Sequence, residues 1–170
     1  LDRPYLIDKA RSSGAKIVVP TGALLGLDAV RAASEGNIHS VQMITRKPPA
    51  GLKGAPYLEG KNINLDELTE PLKLYSGPAR EAVRGFPANV NVAAALSLAG
   101  IGPDKTGIEI WADPDVIRNT HDIIVESDSA RLTMRIENIP SKQNKRTGRI
   151  TALSILATLR GLTATLKVGT

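Results

Sequence analysis

The side chains able to do acid–base or amide chemistry fall in a few places along the chain. His121, in Arg118-Asn119-Thr120-His121, is one of only two histidines. An imidazole titrates near neutrality and can take a proton from a substrate or from water; the alternative is a histidine hydrogen-bonded at a strand start. Earlier, Phe86-Pro87-Ala88-Asn89-Val90-Asn91-Val92-Ala93-Ala94-Ala95-Leu96 reads as the entrance of an apolar helix carrying two asparagines. One of them can cap the helix. The other can present its amide to a ligand beside backbone N–H groups that favour anions or polarised carbonyls. Asn91 and His121 are therefore expected to face one small-molecule pocket.

Arg46 and Lys47, held at a strand end by Pro48-Pro49, are candidates for binding carboxylates, arginine with bidentate geometry. A solvated strand end is the other reading. Asn144, Lys145 and Thr147, at the entry to the last helix, could form an anion nest. His39 sits mid-strand among ordinary residues and reads as a strand histidine. No metal site is expected, because two distant histidines without clustered carboxylates do not make one. No Ser-His-Asp spacing stands out.

These residues need elements to hold them. Residues 3–13 pattern as a short amphipathic helix closed by Gly14. Residues 15–20 (Ala-Lys-Ile-Val-Val-Pro) read as a buried β-branched strand. Thr21-Gly22 then leads into a helix over 23–34, with Thr21 as N-cap. Residues 38–46 alternate as a strand, with Ile38, Ser40, Gln42 and Ile44 on one face and His39, Val41, Met43 and Thr45 on the other. Residues 50–64 are a loop, and Asn64 with Glu67 forms a capping box. Gly77-Pro78 starts a further helix, broken at Gly85-Phe86-Pro87, and residues 88–99 form the next. Residues 107–112, 120–127 and 130–139 have β character, with Ser127-Asp128-Ser129 as a tight hairpin turn. Residues 149–162 form a closing helix. The predicted architecture is α/β, more closely α+β: a mostly antiparallel sheet of about four or more strands, half solvated and covered by helices on one face.

Composition narrows the function classes. The chain has 170 residues, 42% hydrophobic and 23% charged, ordinary values for a soluble globular domain. Aromatic side chains are scarce, which disfavours the stacking platforms of single-stranded nucleic-acid binders. The net charge of +5 is dispersed among acids. Only Lys142, Lys145, Arg146 and Arg149 cluster, and they read first as a solvated loop and helix start, then as an anion site, and last as a nucleic-acid contact. There is no cysteine, which excludes disulfides and thiolate metal sites and fits a reducing cytoplasm. The longest apolar stretch, over 92–101, is too short to cross a bilayer. The amino terminus, charged and polar, lacks a signal-peptide pattern. Neither nucleic acid nor membrane is an expected partner.

Taken together, several segments resemble the L-aspartate dehydrogenase family. They are Pro20-Thr21-Gly22-Ala23-Leu24-Leu25-Gly26-Leu27-Asp28-Ala29, Thr45-Arg46-Lys47-Pro48-Pro49, the Phe86 to Ala94 stretch, Ala112-Asp113-Pro114, Arg118-Asn119-Thr120-His121 and Asn144-Lys145-Arg146-Thr147. The resemblance runs from about residue 15 to the end. It implies oxidative deamination of L-aspartate to iminoaspartate, which yields oxaloacetate and ammonia on hydrolysis and can feed NAD biosynthesis, with NAD or NADP as cofactor. It also implies His121 as the active-site histidine and Ala23 and Asn91 at the nicotinamide, with Arg46, Lys47 or Lys145 on the substrate carboxylates. Three parts follow: residues 1–22 as the remnant of a dinucleotide-binding domain, 23–148 as the catalytic and oligomerisation domain, and 149–170 as a helix packing back on the first.

The Gly-x-Gly-x-x-Gly turn that would hold a pyrophosphate is absent from the 170 residues. The resemblance therefore implies the catalytic portion of a longer, cytoplasmic, homo-oligomeric enzyme, inactive as this chain alone. A dehydrogenase of another amino or hydroxy acid, or a non-catalytic anion-binding or dimerisation domain, are the competing readings.

Overall fold

β1 (Ile38–Lys47) is the middle strand of a five-stranded sheet ordered β2-β3-β1-β4-β5. The others are β2 (Leu72–Pro78), β3 (Thr106–Ala112), β4 (Asn119–Ser127) and β5 (Arg131–Asn138). β1 pairs parallel to β3 and antiparallel to β4, and the two outer pairings, β2 with β3 and β4 with β5, are antiparallel. The sheet is thus mixed but mostly antiparallel, as the alternating patterns predict. The computed structural model describes residues 2–87, 91–141 and 147–169.

Side chains alternate across a strand, and β1 shows it: Val41, Met43, Thr45 and Lys47 are buried while Gln42 is exposed and Ile44 and Arg46 half-buried. The buried face meets α2 (Leu27–Ser34), α3 (Ala79–Gly85) and α4 (Asn91–Ala99). Ile108, Ile110, Ile123 and Val125 join the core from β3 and β4, and Leu27, Val30, Ala93 and Leu96 from the helices. One aromatic knot interrupts this aliphatic interior: Tyr57 lies 5.2 Å from Phe86 and 5.3 Å from Tyr75, ring centre to ring centre.

Several local expectations are corrected. Residues 15–20 form no strand; Ile17, Val18 and Val19 are about half exposed and lie in no ladder among the described residues. A β-branched run becomes a strand only by pairing with another one, and among the described residues none lies beside it. α2 begins at Leu27 rather than 23, because residues 21–24 form a turn (Leu24 N–H donating to Thr21 C=O, 3.2 Å) and Gly26 adopts a left-handed φ of 71° before the helix. A side chain there would be strained and its Cβ would run into Met134 Sδ. Thr21 therefore caps nothing. Asn64 makes a local turn instead of a capping box, its Oδ1 accepting from Asp66 N–H at 3.1 Å.

β2 was not foreseen. It ends in Gly77-Pro78, and the helix expected from that pair follows directly as α3, with Pro78 at its N-cap; proline is admissible at the strand's end because β2 is an edge strand with no ladder to satisfy beyond it. α1 (Tyr5–Ser13) and α5 (Arg149–Gly161) form as predicted, but neither has a buried residue. Leu153, Leu156 and Leu159 of α5 are each about half exposed. Asp2, just before α1, reaches α3 through Arg84 at 3.1 Å.

Candidate active site

One end of the sheet gathers polar groups. β1 stops at Lys47 before the two prolines, and the ladder sets Thr45 beside His121 and His121 beside Ile136. One step further out on the same face, Asn119 of β4 faces Asn138 of β5. Cross-strand partners share a face, so the covered side of the sheet ends in Thr45, Lys47, His121, Asn119 and Asn138. Four of them, Lys47, His121, Asn119 and Asn138, border a cavity of about 330 Å³, and Thr45 lies behind His121. α4 contributes Asn91 and the apolar Val92, Ala95 and Leu98, and the loop before α2 contributes residues 19–23. Thr147 and Gly148 close another side.

Burial sets the chemistry of the two basic groups. His121 is 3% exposed, and its Nδ1 lies 3.1 Å from the Thr45 hydroxyl, itself fully buried. Burial, and then the nearby charge of Lys47, push the imidazole down to about 4, so at neutral pH the ring is neutral. Lys47 is 4% exposed and burial brings its amine down to about 8; it is charged at neutral pH at a desolvation cost. A neutral imidazole beside a buried ammonium can accept a proton on one side and attract an anion on the other.

Asn91 and Ala23 both line this cavity with His121 and Lys47. Arg46 does not. It projects to the opposite face of β1, where Nη1 donates to Asp113 Oδ2 at 3.0 Å and the guanidinium lies 4.8 Å from the Trp111 ring centre. The structure thus separates two neighbours that the sequence pairs. Lys145, Asn144, Lys142, Arg146 and Asn89 lie outside the described residues. His39 is exposed at the far end of β1.

Asn138 is the residue that sequence reasoning missed. It is buried, its Nδ2 donates to the Ala23 carbonyl at 3.4 Å, and it ties β5 to the loop before α2. The signal was present: Leu132, Met134 and Ile136 form the covered face of β5, and Asn138 is the next position on it. Gly148 passes so close that a Cβ there would lie 2.9 Å from Asn138 Oδ1, and with Thr147 it lines that side of the cavity.

An amide (Asn91) beside apolar surface (Val92, Ala95, Leu98) suits a nicotinamide, whose carboxamide needs both a donor and an acceptor. The residues present fit that end of the cofactor. Among the described residues no cluster of His, Cys, Asp and Glu could hold a metal ion, and no helix is long and apolar enough to cross a membrane.

Known proteins resemble this chain in sequence and in fold. The family described as "Aspartate dehydrogenase, C-terminal" matches residues 28–162. An L-aspartate dehydrogenase of Bradyrhizobium diazoefficiens is 64% identical over the whole chain, which covers 60% of that protein. An L-aspartate dehydrogenase 3 of Bordetella bronchiseptica is 65% identical, again over the whole chain, which covers 62% of it. The crystal structure of aspartate dehydrogenase from Thermotoga maritima superposes with a TM-score of 0.79 at 29% identity, over 98% of this chain and 62% of that one. The chain therefore spans about three fifths of the length of these relatives, and it belongs to the aspartate dehydrogenase C-terminal family.

Proposed function

We propose that this chain is the substrate-facing portion of an NAD- or NADP-dependent L-aspartate dehydrogenase, which oxidises L-aspartate to iminoaspartate and, after hydrolysis, gives oxaloacetate and ammonia. The observation that carries the reading is the meeting of buried His121 and buried Lys47 in one cavity with Asn91 and Ala23. A bound nicotinamide would supply the two-electron acceptor; the chain supplies binding, orientation and proton handling.

Lys47 neutralises one substrate carboxylate, and Lys145 remains the candidate for the other. Asn91 and Ala23 meet the nicotinamide. His121 accepts the proton from the substrate amino group or from the attacking water. Lys47 lowers the proton affinity of the imidazole, so a substrate carboxylate that offsets this charge raises the imidazole again as the substrate docks, and the base strengthens when it is needed. Arg46, paired with Asp113 away from the cavity, plays no part in this scheme.

The same reading carries a three-part division with it. Residues 1–22 belong to a dinucleotide-binding domain, 23–148 to the catalytic domain, and 149–170 to a helix that packs on the first. The exposure of Ile17, Val18, Val19 and the leucines of α5 is what such a division requires. The enzyme is read as cytoplasmic, and as a homo-oligomer through the open face of the sheet, where Trp111 lies under Arg46 and Lys73. Sedimentation showing only a monomer at micromolar concentration would dismiss the oligomer.

The protein carrying this chain should reduce NAD or NADP with L-aspartate, and oxidise the reduced cofactor with oxaloacetate and ammonia. Turnover of a different amino or hydroxy acid with aspartate inert would change the substrate. Binding of DNA with a steep salt slope, without response to dicarboxylates, would remove the dehydrogenase altogether.

A further inference from the structure

We infer that Thr45 is the positioning residue for His121: its hydroxyl accepts a hydrogen bond from Nδ1–H, keeps the ring proton on that nitrogen, and leaves the Nε2 lone pair as the site that takes up a proton. The inference rests on the reading of His121 as the base and specifies which of its nitrogens acts.

The geometry is direct. Thr45 and His121 are cross-strand partners on β1 and β4, with Oγ1 and Nδ1 3.1 Å apart. Both side chains are buried, Thr45 completely, so water does not compete for the bond. On its other side Thr45 pairs with Ile110 of β3, whose side chain offers no polar group. Around the imidazole, β5 contributes Ile136 and Asn138, β4 contributes Asn119, and β1 contributes Lys47, the charged group that bears on it.

The direction of the bond follows from the proton cycle. A neutral imidazole that is to act as a base at Nε2 must carry its hydrogen on Nδ1. Once Nε2 is protonated, both ring nitrogens are donors. In either state the group facing Nδ1 has to accept, and a hydroxyl accepts in both without moving. If Thr45 donated instead, Nδ1 would be the acceptor, Nε2 would hold the hydrogen, and the ring could not take up a proton at Nε2. A carboxylate in this position would also orient the ring, but it would raise the proton affinity strongly; a neutral hydroxyl orients without doing so. Valine at position 45 keeps the shape and removes the acceptor, which leaves a buried Nδ1–H unpaired.

15N-histidine spectra of the protein test this, with the His121 signals identified by their loss in His121→Gln. The wild type should show Nδ1 protonated and Nε2 bare at neutral pH. Thr45→Val should shift the tautomer toward Nε2–H and lower kcat/KM by roughly 10- to 100-fold, the usual cost of losing a partner that orients a histidine, with the rate falling at a different pH. Thr45→Ser, which retains the hydroxyl, should restore the wild-type tautomer and most of the rate. A wild-type ring with Nδ1 bare, or a Thr45→Val ring with an unchanged tautomer, overturns the inference. Should Thr45→Val fail to fold, the wild-type and Thr45→Ser spectra still decide it. Absence of aspartate turnover in every variant, with the wild-type tautomer as stated, would count against the dehydrogenase reading and leave the role of Thr45 standing.

Discussion

Replacing His121 with alanine in the complete enzyme should lower kcat by roughly 10²–10⁴-fold, the range for losing one positioned general base, and leave aspartate binding nearly unchanged. On the proposed scheme the two effects separate, because His121 would meet the proton in transit while Lys47 would meet the carboxylate. Stopped-flow measurement of cofactor reduction against aspartate concentration reads both; an unchanged kcat would take His121 out of the mechanism. A second signature comes from linkage. Burial moves the imidazole from 6.5 to about 4, so the unfolded chain binds the proton more readily over that interval. The native state keeps its full stability above pH 6.5 and loses up to about 3 kcal/mol as pH falls toward 4. His121→Ala abolishes this term, and its unfolding free energy should depend less on pH in that window. A variant as acid-sensitive as the wild type would show that other groups dominate the acid limb.

Much of the frame that holds His121 was legible in the sequence, and the reason is local. β1, β3, β4 and β5 alternate apolar and polar residues because one face is covered and the other open, and the period shows in the residues themselves. β2 lacked that clarity, since an edge strand tolerates Gly77 and Pro78, the residues that otherwise announce a turn. The failure at Ile17, Val18 and Val19 has the opposite cause: a β-branched run signals a willingness to pair, and pairing needs a neighbour that no local pattern supplies. The site divides along the same line. That Arg46 and Lys47 must face opposite sides follows from the strand period. Which side would be roofed by α4 depends on long-range packing, and it decided that Lys47 enters the cavity while Arg46 turns to Asp113 and Trp111. Asn138 continues the covered face of β5 after Leu132, Met134 and Ile136, a position that strand period alone assigns. Family resemblance singled out His121, Ala23 and Asn91, and the cavity brings them together; residue pattern alone reached only as far as a shared pocket for His121 and Asn91.

Lys47→Met should raise stability while weakening substrate binding, a pairing of effects that a structural lysine would not give. At pH 7 the buried amine is charged although burial has lowered it from 10.5 to about 8, and holding that charge out of water costs on the order of 3 kcal/mol. The sign follows: the folded chain is at full stability above pH 10.5, where the amine is neutral in both states, loses this amount as pH falls from 10.5 to about 8, and changes no further below that. Methionine fills nearly the same volume without a charge, so it removes the burial penalty that leaves the amine lowered in spite of the groups around it. Denaturant unfolding at pH 7 should therefore show a gain of about 1–3 kcal/mol. Binding should move the other way. A hydrogen bond to a charged group contributes about 1.5–3 kcal/mol, so calorimetric titration with aspartate should show affinity lower by about 10- to 100-fold. Wild-type affinity should also weaken above pH 8 as Lys47 loses its proton, and the variant should show no such dependence. Equal dicarboxylate affinity in the two proteins would remove Lys47 from substrate recognition. Weakened binding with no gain in stability would mean instead that the groups around Lys47 already offset its burial, so that the cavity holds its ammonium at little cost to the fold.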